Sequence, residues 1–283
     1  MNDIDEDGIQ GPIAIFWTGG WDSTYRVIEL SHHAVQVQPV YILDETRYSH
    51  ERELDAIATM TKLLETRSET KAEFLPLRVI RVEDIPEDEE MSRAAERLRK
   101  EFGLGIQHDW TARVAKEYPG IELCIEKALT GYMPIRQCIN KYGEGGLLET
   151  AHGYMIDGES ASEDVRLVLG GVTLPIFETT ERQMLDAVKS LGCEDVMAHI
   201  WFCHRPIKGE PCGLCSPCHT KMDSDMEFLL PEKARERCRR RTAVEARWGG
   251  VVAKVYGRIV RFLVGGGFWR TGREGHGERR KSC

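Results

Sequence analysis

Apolar and polar positions alternate between two rhythms along the first half of the chain. Residues 13–17 (Ile-Ala-Ile-Phe-Trp) form a short apolar run followed by turn residues, the pattern of a buried strand. Residues 23–33 then predict a helix, with Tyr25, Ile28 and Leu30 among the apolar positions. A second strand is expected at 37–43 and a second helix at about 49–67, where Leu54, Ile57, Ala58, Leu63 and Leu64 recur near helical spacing. Residues 75–82 read as a third strand, interrupted by Pro76 near its start. Strands alternating with helices predict an α/β fold, a parallel sheet joined by crossover helices.

Farther on, 92–102 and 109–118 predict helices and 121–125 a fourth strand. The stretch 140–165 is rich in glycine and acidic groups, lacks periodicity and is expected to be loop, and 165–169 is expected to be a strand. Thr180 is a good cap for a helix running to Leu191 and closed by Gly192. A cysteine cluster follows, with a helix at 216–230. In 251–264, Lys254, Arg258 and Arg261 fall on one helical face and Val252, Val255, Ile259 and Leu263 on another. Fourteen residues with three cations cannot span a bilayer. Such a helix can lie on a membrane, although docking on its own domain or a partner subunit is commoner. Four segments result: a disordered N-terminus at 1–11, an α/β domain at 12–200, a cysteine segment with its packing helix at 201–232, and a basic tail at 233–283 that ends in disorder after residue 264.

Composition refines this outline. The chain's 283 residues suffice for one large or two small cores, and 41% apolar with 30% charged residues is ordinary for a globular protein. The polar, acidic start predicts no secretory signal, and no apolar run reaches the length of a membrane span, so the expected location is cytoplasmic. The net charge of −8 conceals a division: 233–283 holds fifteen Lys/Arg against four Glu, which leaves −19 on 1–232. An acidic body argues against broad nucleic-acid binding by the main domain.

The most informative segment is Phe16-Trp17-Thr18-Gly19-Gly20-Trp21-Asp22-Ser23-Thr24. A buried strand ends at a Gly-Gly turn and a helix begins at once. Glycines let main-chain N–H groups approach an anion, and the first helical turn adds donors and the positive end of its dipole. Thr18, Ser23 and Thr24 add hydroxyls, and Asp22 can hold Mg²⁺ that bridges phosphate oxygens. No Lys follows the glycines, so this is not the loop of kinases and motor ATPases. A tight strand-to-helix turn capped by Asp22 or Ser23 is the bland alternative.

Cys203, Cys212, Cys215 and Cys218 lie within sixteen residues, among nine cysteines in all. Four thiolates with two close Cys-x2-Cys spacings suit a closed, structural Zn²⁺ site. An iron–sulfur cluster is the rival, but the Cys-Pro that follows the ferredoxin run is absent.

The two motifs together resemble the 7-cyano-7-deazaguanine synthase (QueC) family over about residues 12–230. The run from Cys203 to Cys218, with its Ile207-Lys208-Gly209 and Cys212-Gly213-Leu214-Cys215 pieces, is similar to that family's zinc segment. Glu126, Gly131-Tyr132, Pro134 and Arg136 resemble, with a one-residue offset, a family stretch near the deazaguanine. The resemblance implies a Rossmann-like (HUP/PP-loop) parallel sheet with helices on both faces and a C-terminal zinc-binding loop. It implies an ATP-dependent carbon–nitrogen ligase: ATP adenylates the carboxylate of 7-carboxy-7-deazaguanine, pyrophosphate leaves, and an amine displaces AMP to give an amide, then a nitrile. ATP contacts are then expected from Thr18, Gly19, Gly20, Asp22, Ser23, Thr24 and Asp44, with Asp22 and Ser23 catalytic. Asp44 has ordinary loop solvation as an equal alternative. Substrate contacts are expected from Gln107, Asp109, Glu126, Arg136 and Lys208. Gln107 and Asp109 can read a purine-like base edge or form a helix-capping pair, and His108 reads as a surface residue. A homodimer is the expected assembly. Two alternatives stand beside this reading: an antiviral defence enzyme that conjugates the deazaguanine to a protein amine, and a non-catalytic nucleotide-binding zinc scaffold.

Overall fold

A computed structural model describes residues 11–127, 133–142, 146–224 and 226–265. The N-terminal segment at 1–10, Gly131-Tyr132 and the tail end at 266–283 lie outside the described residues. The chain forms two compact units: one runs up to Glu45 and resumes at His50–Phe202, the other joins Thr46–Ser49 to the chain from Cys203.

The first unit runs β1 (Ile13–Phe16), α1 (Trp21–Ser31), β2 (Gln36–Leu43), α2 (His50–Glu65), β3 (Glu73–Phe74), β4 (Arg78–Arg81), α3 (Glu89–Phe102), α4 (Gln107–Val114), β5 (Ile121–Glu122), α5 (Pro134–Tyr142), β6 (Leu147–Thr150), β7 (Gly153–Ile156), α6 (Glu163–Leu169), β8 (Val172–Leu174), α7 (Glu181–Ser190) and α8 (Glu194–Met197). The strands make one mostly parallel sheet in the order β3-β2-β1-β5-β8-β7-β6, with β4 also on the outer side of β2. The antiparallel pairings are β8–β7 and β7–β6, so β7 alone among these strands is reversed, and β6–β7 form a hairpin on the β8 edge. Strand order reverses at β1: β2 and β3 lie to one side, β5 and β8 to the other. Helices flank the sheet in two groups, α1, α2, α7 and α8 in one and α3 to α6 in the other. The core between sheet and second group is built from Phe16, Val40, Ile121, Val172, Leu98 and Leu169. Each such side chain contributes about 1.5–3 kcal/mol on burial.

Several elements differ from expectation for identifiable reasons. Residues 165–169 are not a strand but the body of α6, because the Ser162 hydroxyl accepts from the Val165 N–H and starts a helix whose first turn holds Glu163 and Asp164. The stretch expected to be loop contains the end of α5 and the β6–β7 hairpin. The third strand is split into β3 and β4, both paired to β2, because Pro76 has no N–H for the ladder. Thr180 caps α7 in a full capping box with Gln183.

A buried ion pair ties α1 to β5. Arg26 Nε donates to Glu122 Oε2 at 2.9 Å and Nη2 to Oε1 at 2.7 Å. Burial works against the Arg26 charge, but the two-pronged contact with Glu122 outweighs it and pushes the guanidinium pKa up. Removing one partner strands the other charge in the interior. Glu122→Ala should therefore lose about 3–5 kcal/mol of stability in urea unfolding. The apolar pair Arg26→Met with Glu122→Leu should recover most of that; equal losses in both variants would show that the charges themselves stabilise.

In the second unit, Ile207 and Glu210 bracket a tight turn, followed by α9 (Ser216–Asp223), a 3₁₀ turn at Glu227–Leu229, α10 (Glu232–Trp248) and α11 (Gly250–Gly265). The helix expected at 216–230 thus breaks after Asp223, and the basic tail begins with a helix that the periodicity did not announce. Among the described residues no helix is long and apolar enough to cross a membrane.

Candidate functional site

The glycine turn lies where β1 delivers it, at the carboxyl edge of the sheet and at the point of strand-order reversal. In open α/β sheets that position forms the crevice in which ligands bind. Gly19 has φ +71, and a Cβ there would approach the Glu53 carbonyl oxygen to 3.2 Å, so both backbone angle and close approach to α2 require glycine. The Gly19 carbonyl accepts from the Trp201 N–H at 2.8 Å, which pins the turn from its far side. Gly20 is the N-cap of α1 and supplies no side-chain cap. Helix first turns carry N–H groups with no partner inside the helix.

The hydroxyls of the segment divide. Thr18 is exposed and Asp22 half-buried, whereas Ser23 and Thr24 are buried. Thr24 Oγ1 accepts from Trp17 Nε1 at 3.0 Å, so this side chain braces the turn from within. Asp44 follows β2 directly and leaves the same edge of the sheet.

Two further strands deliver residues to that edge. Beyond β5, Cys124 is half-buried, and burial pushes its thiol well above the usual range, with the Glu122 and Asp22 charges adding to the shift and Arg26 opposing it. Glu126 and Arg136 are brought together: Arg136 Nε donates to the Glu126 carbonyl at 3.2 Å, its Nη1 to Glu178 Oε1 at 3.2 Å, and its guanidinium lies 3.7 Å over the Phe177 ring. Lys127 Nζ donates to Glu178 Oε2 at 2.6 Å. Burial opposes ionisation of Glu178, but the Lys127 and Arg136 hydrogen bonds prevail and hold its carboxyl below the ordinary value. Arg136 Nη2 is buried without a hydrogen-bond partner among the described residues. Lys127, Phe177 and Glu178 had no signal in the sequence.

Gln107 and Asp109 occupy the first turn of α4. Gln107 is exposed. Asp109 accepts from Ser92 Oγ at 2.8 Å and from Arg113 Nη2 at 2.9 Å, so its carboxylate serves the contact between α3 and α4. His108, expected on the surface, is instead buried, because α4 turns this position inward. Burial lowers its pKa to about 4, so it is neutral at physiological pH.

The cysteine site lies wholly in the second unit. Cys203, Cys212, Cys215 and Cys218 are buried, and their sulfurs all lie within 4.8 Å of one another. The separations of 3.4 Å for Cys215–Cys218, 3.9 Å for Cys203–Cys215 and 4.0 Å for Cys212–Cys218 are far beyond a disulfide bond. They bracket the roughly 3.8 Å edge of a sulfur tetrahedron around an ion with 2.3 Å metal–sulfur bonds. A multi-iron cluster would divide the sulfurs among two or more irons and spread them wider. The four cysteines can therefore hold a single metal ion such as zinc. Backbone geometry agrees: the Cys212 N–H donates to Cys203 Sγ at 3.1 Å and the Leu214 N–H to Cys212 Sγ at 3.2 Å. Hydrogen bonds from the neighbouring thiols, Cys203 first, hold the Cys212 pKa well down. Those same contacts push Cys218 up, so without a cation all four cannot ionise together.

Gly213, at φ +67, sits where a Cβ would fall 2.0 Å from the Ala234 carbonyl oxygen, so α10 packs directly on the cysteine turn. Arg237 of α10 donates from Nε to the Cys212 carbonyl at 2.7 Å and from Nη2 to the Pro211 carbonyl at 3.2 Å. Arg241, also of α10, donates to the Leu214 carbonyl, as does Arg261 of α11 at 3.1 Å. A Zn²⁺ ion bound by four thiolates would carry a net charge of about −2, and these guanidinium groups would be its local countercharge. Part of the basic tail therefore serves the cysteine site. Cys238 stands beside the four without joining them: its thiol donates to the Cys218 carbonyl, and burial raises its pKa to about 11. Lys208 is exposed at the tip of the Ile207–Glu210 turn, with a positive φ of 51, beside Gly209 at 80. Positive φ at both central residues is the requirement of a two-residue type I′ turn.

Comparisons of the chain with protein-family models, with curated proteins and with solved structures return no match.

Proposed function

We propose that the protein is an ATP-dependent ligase of the QueC type, which adenylates the carboxylate of a 7-deazaguanine for attack by an amine. The observation that carries this reading is the glycine turn at the β1 switch point, which runs without a side-chain cap into the first turn of α1. Main-chain donors held there suit the pyrophosphate that leaves as the acyl adenylate forms, because they are in place before the charge develops. Asp22 is the carboxylate that would hold Mg²⁺, which when bound sets positive charge against phosphate oxygens. Thr18 is exposed and able to donate to the same anion, and Asp44 on the neighbouring strand end suits a ribose hydroxyl.

The acid would lie farther along the same edge. Arg136 has a buried donor to spare and a Phe177 ring beneath it, a pairing suited to a flat heteroaromatic carboxylate. On this reading the zinc-type site is structural, since four sulfurs leave no open position for a substrate.

The reading is tested by pyrophosphate release from ATP and magnesium, with and without 7-carboxy-7-deazaguanine. Release should require the acid, and AMP should form in equal amount when an amine is added. ATP consumption that ignores the acid, or none at all, would remove the ligase reading and leave a nucleotide-binding scaffold. Mass spectrometry of proteins co-expressed with the chain separates the amines: a deazaguanine-sized adduct assigns the acceptor to a protein, its absence to a small molecule.

A further inference from the structure

We propose that α11 is a membrane-surface helix that seats its apolar stripe in an anionic lipid bilayer, independently of the nucleotide reading. Val251, Val255, Ile259, Phe262 and Leu263 with Trp248, at the end of α10, are between 48% and 77% exposed. At 100° per residue the five positions within α11 share one stripe about 120° wide. Lys254 and Arg258, both exposed, fall within roughly 60° of one edge of that stripe. The opposite side of the helix, with Ala253 and Gly257, is buried. No acidic residue occurs anywhere in Gly250–Gly265.

This arrangement favours lipid over the other possible occupants. Pairing the stripe with a second copy would bring the cations of two helices together with no carboxylate on either to offset them. A protein groove would have to supply both an apolar floor and carboxylates at its rim to meet Lys254 and Arg258. A bilayer needs only apolar area at the acyl boundary and cations at headgroup height. The surroundings add charge of the right sign: Arg247 lies 5.4 Å over the Trp248 ring, and the described part of the tail, 233–265, carries ten Lys/Arg against two Glu. Arg237, Arg241 and Arg261 are engaged with the cysteine turn, which leaves Lys254 and Arg258 as the cations beside the stripe.

Flotation of the full chain with vesicles tests the assignment. Phosphatidylcholine vesicles with about one-third phosphatidylglycerol should carry the protein, and pure phosphatidylcholine should bind it at least tenfold more weakly. Lys254→Gln with Arg258→Gln should lower partitioning about 30-fold, since each cation near an anionic surface is worth about 1 kcal/mol. Val255→Ser with Ile259→Ser should lower it more than tenfold, with metal content and circular dichroism unchanged. Failure to float with the anionic vesicles, or equal binding to neutral ones, overturns the proposal. So does light scattering in which Val255→Ser with Ile259→Ser turns a dimer into a monomer, which would give the stripe to a second copy. Slow hydrogen exchange throughout α11 in lipid-free monomer would give it to residues 266–283 and overturn it equally.

Discussion

Stripping the cysteine site with a strong chelator is expected to unfold the turn around Cys212 and to loosen α10 and α11 with it. A tetrathiolate zinc site contributes on the order of 10–16 kcal/mol of apparent binding energy, as large as the whole stability of a typical domain. Without the ion, four buried thiols within 4.8 Å must share protons, and the N–H to sulfur bonds of Cys212 and Leu214 lose their anionic acceptors. The carbonyls that Arg237 and Arg241 hold belong to that same turn, so α10 loses its footing next. Amide exchange at Cys212, Leu214 and along α10 should rise sharply on chelation and fall again on adding Zn²⁺. Cys212→Ser should mimic chelation, while Cys238→Ser should leave metal content unchanged, since that thiol is turned to a carbonyl. Because each thiol must give up a proton to bind, metal affinity should weaken as pH falls. Unchanged protection after complete metal removal would end the structural role.

The same site shows how unevenly the sequence announced the structure. Cysteine spacing alone singled out the four residues whose sulfurs come together, because the Cys-x2-Cys turn dictates locally where its sulfurs go. The glycine turn was legible for a similar reason: an apolar run, two glycines and a helix follow one another without interruption. The arginines that close over the cysteine turn were not legible. Arg237 and Arg241 sit in a helix whose only buried positions are Ala234 and Cys238, so no apolar stripe marks it. Their charges alone give no hint of the carbonyls they reach. The β6–β7 hairpin and β8 were missed because β8 has three residues, all buried by pairing on both sides, and short strands leave no period to read. Residues 165–169 misled in the opposite way: five apolar-rich residues fit a strand or a buried helix equally, and the Ser162 cap decides.

At the glycine turn, Asp22→Ala is expected to lower acid-dependent pyrophosphate release by about 10²–10³-fold, the usual cost of losing one preorganised stabiliser of developing charge. Stability should hardly move. A half-buried acid in the first turn of a helix contributes only about 0.3–1 kcal/mol through the helix dipole. The turn itself is held by other bonds, from Trp201 to Gly19 and from Trp17 to Thr24. That gap between activity and stability is the diagnostic feature. A side chain that merely caps α1 would lose a little of both, whereas one that holds a divalent cation loses activity alone. Asp22→Asn sharpens the contrast: it keeps size and hydrogen bonding but removes the charge, so it should be nearly as impaired as alanine, with a raised magnesium requirement. Metal bound at the four cysteines should be the same in all three proteins, because that site draws on none of these atoms. An Asp22→Asn protein with full activity at ordinary magnesium would show that Asp22 holds no cation, and the glycine turn would keep only its structural part.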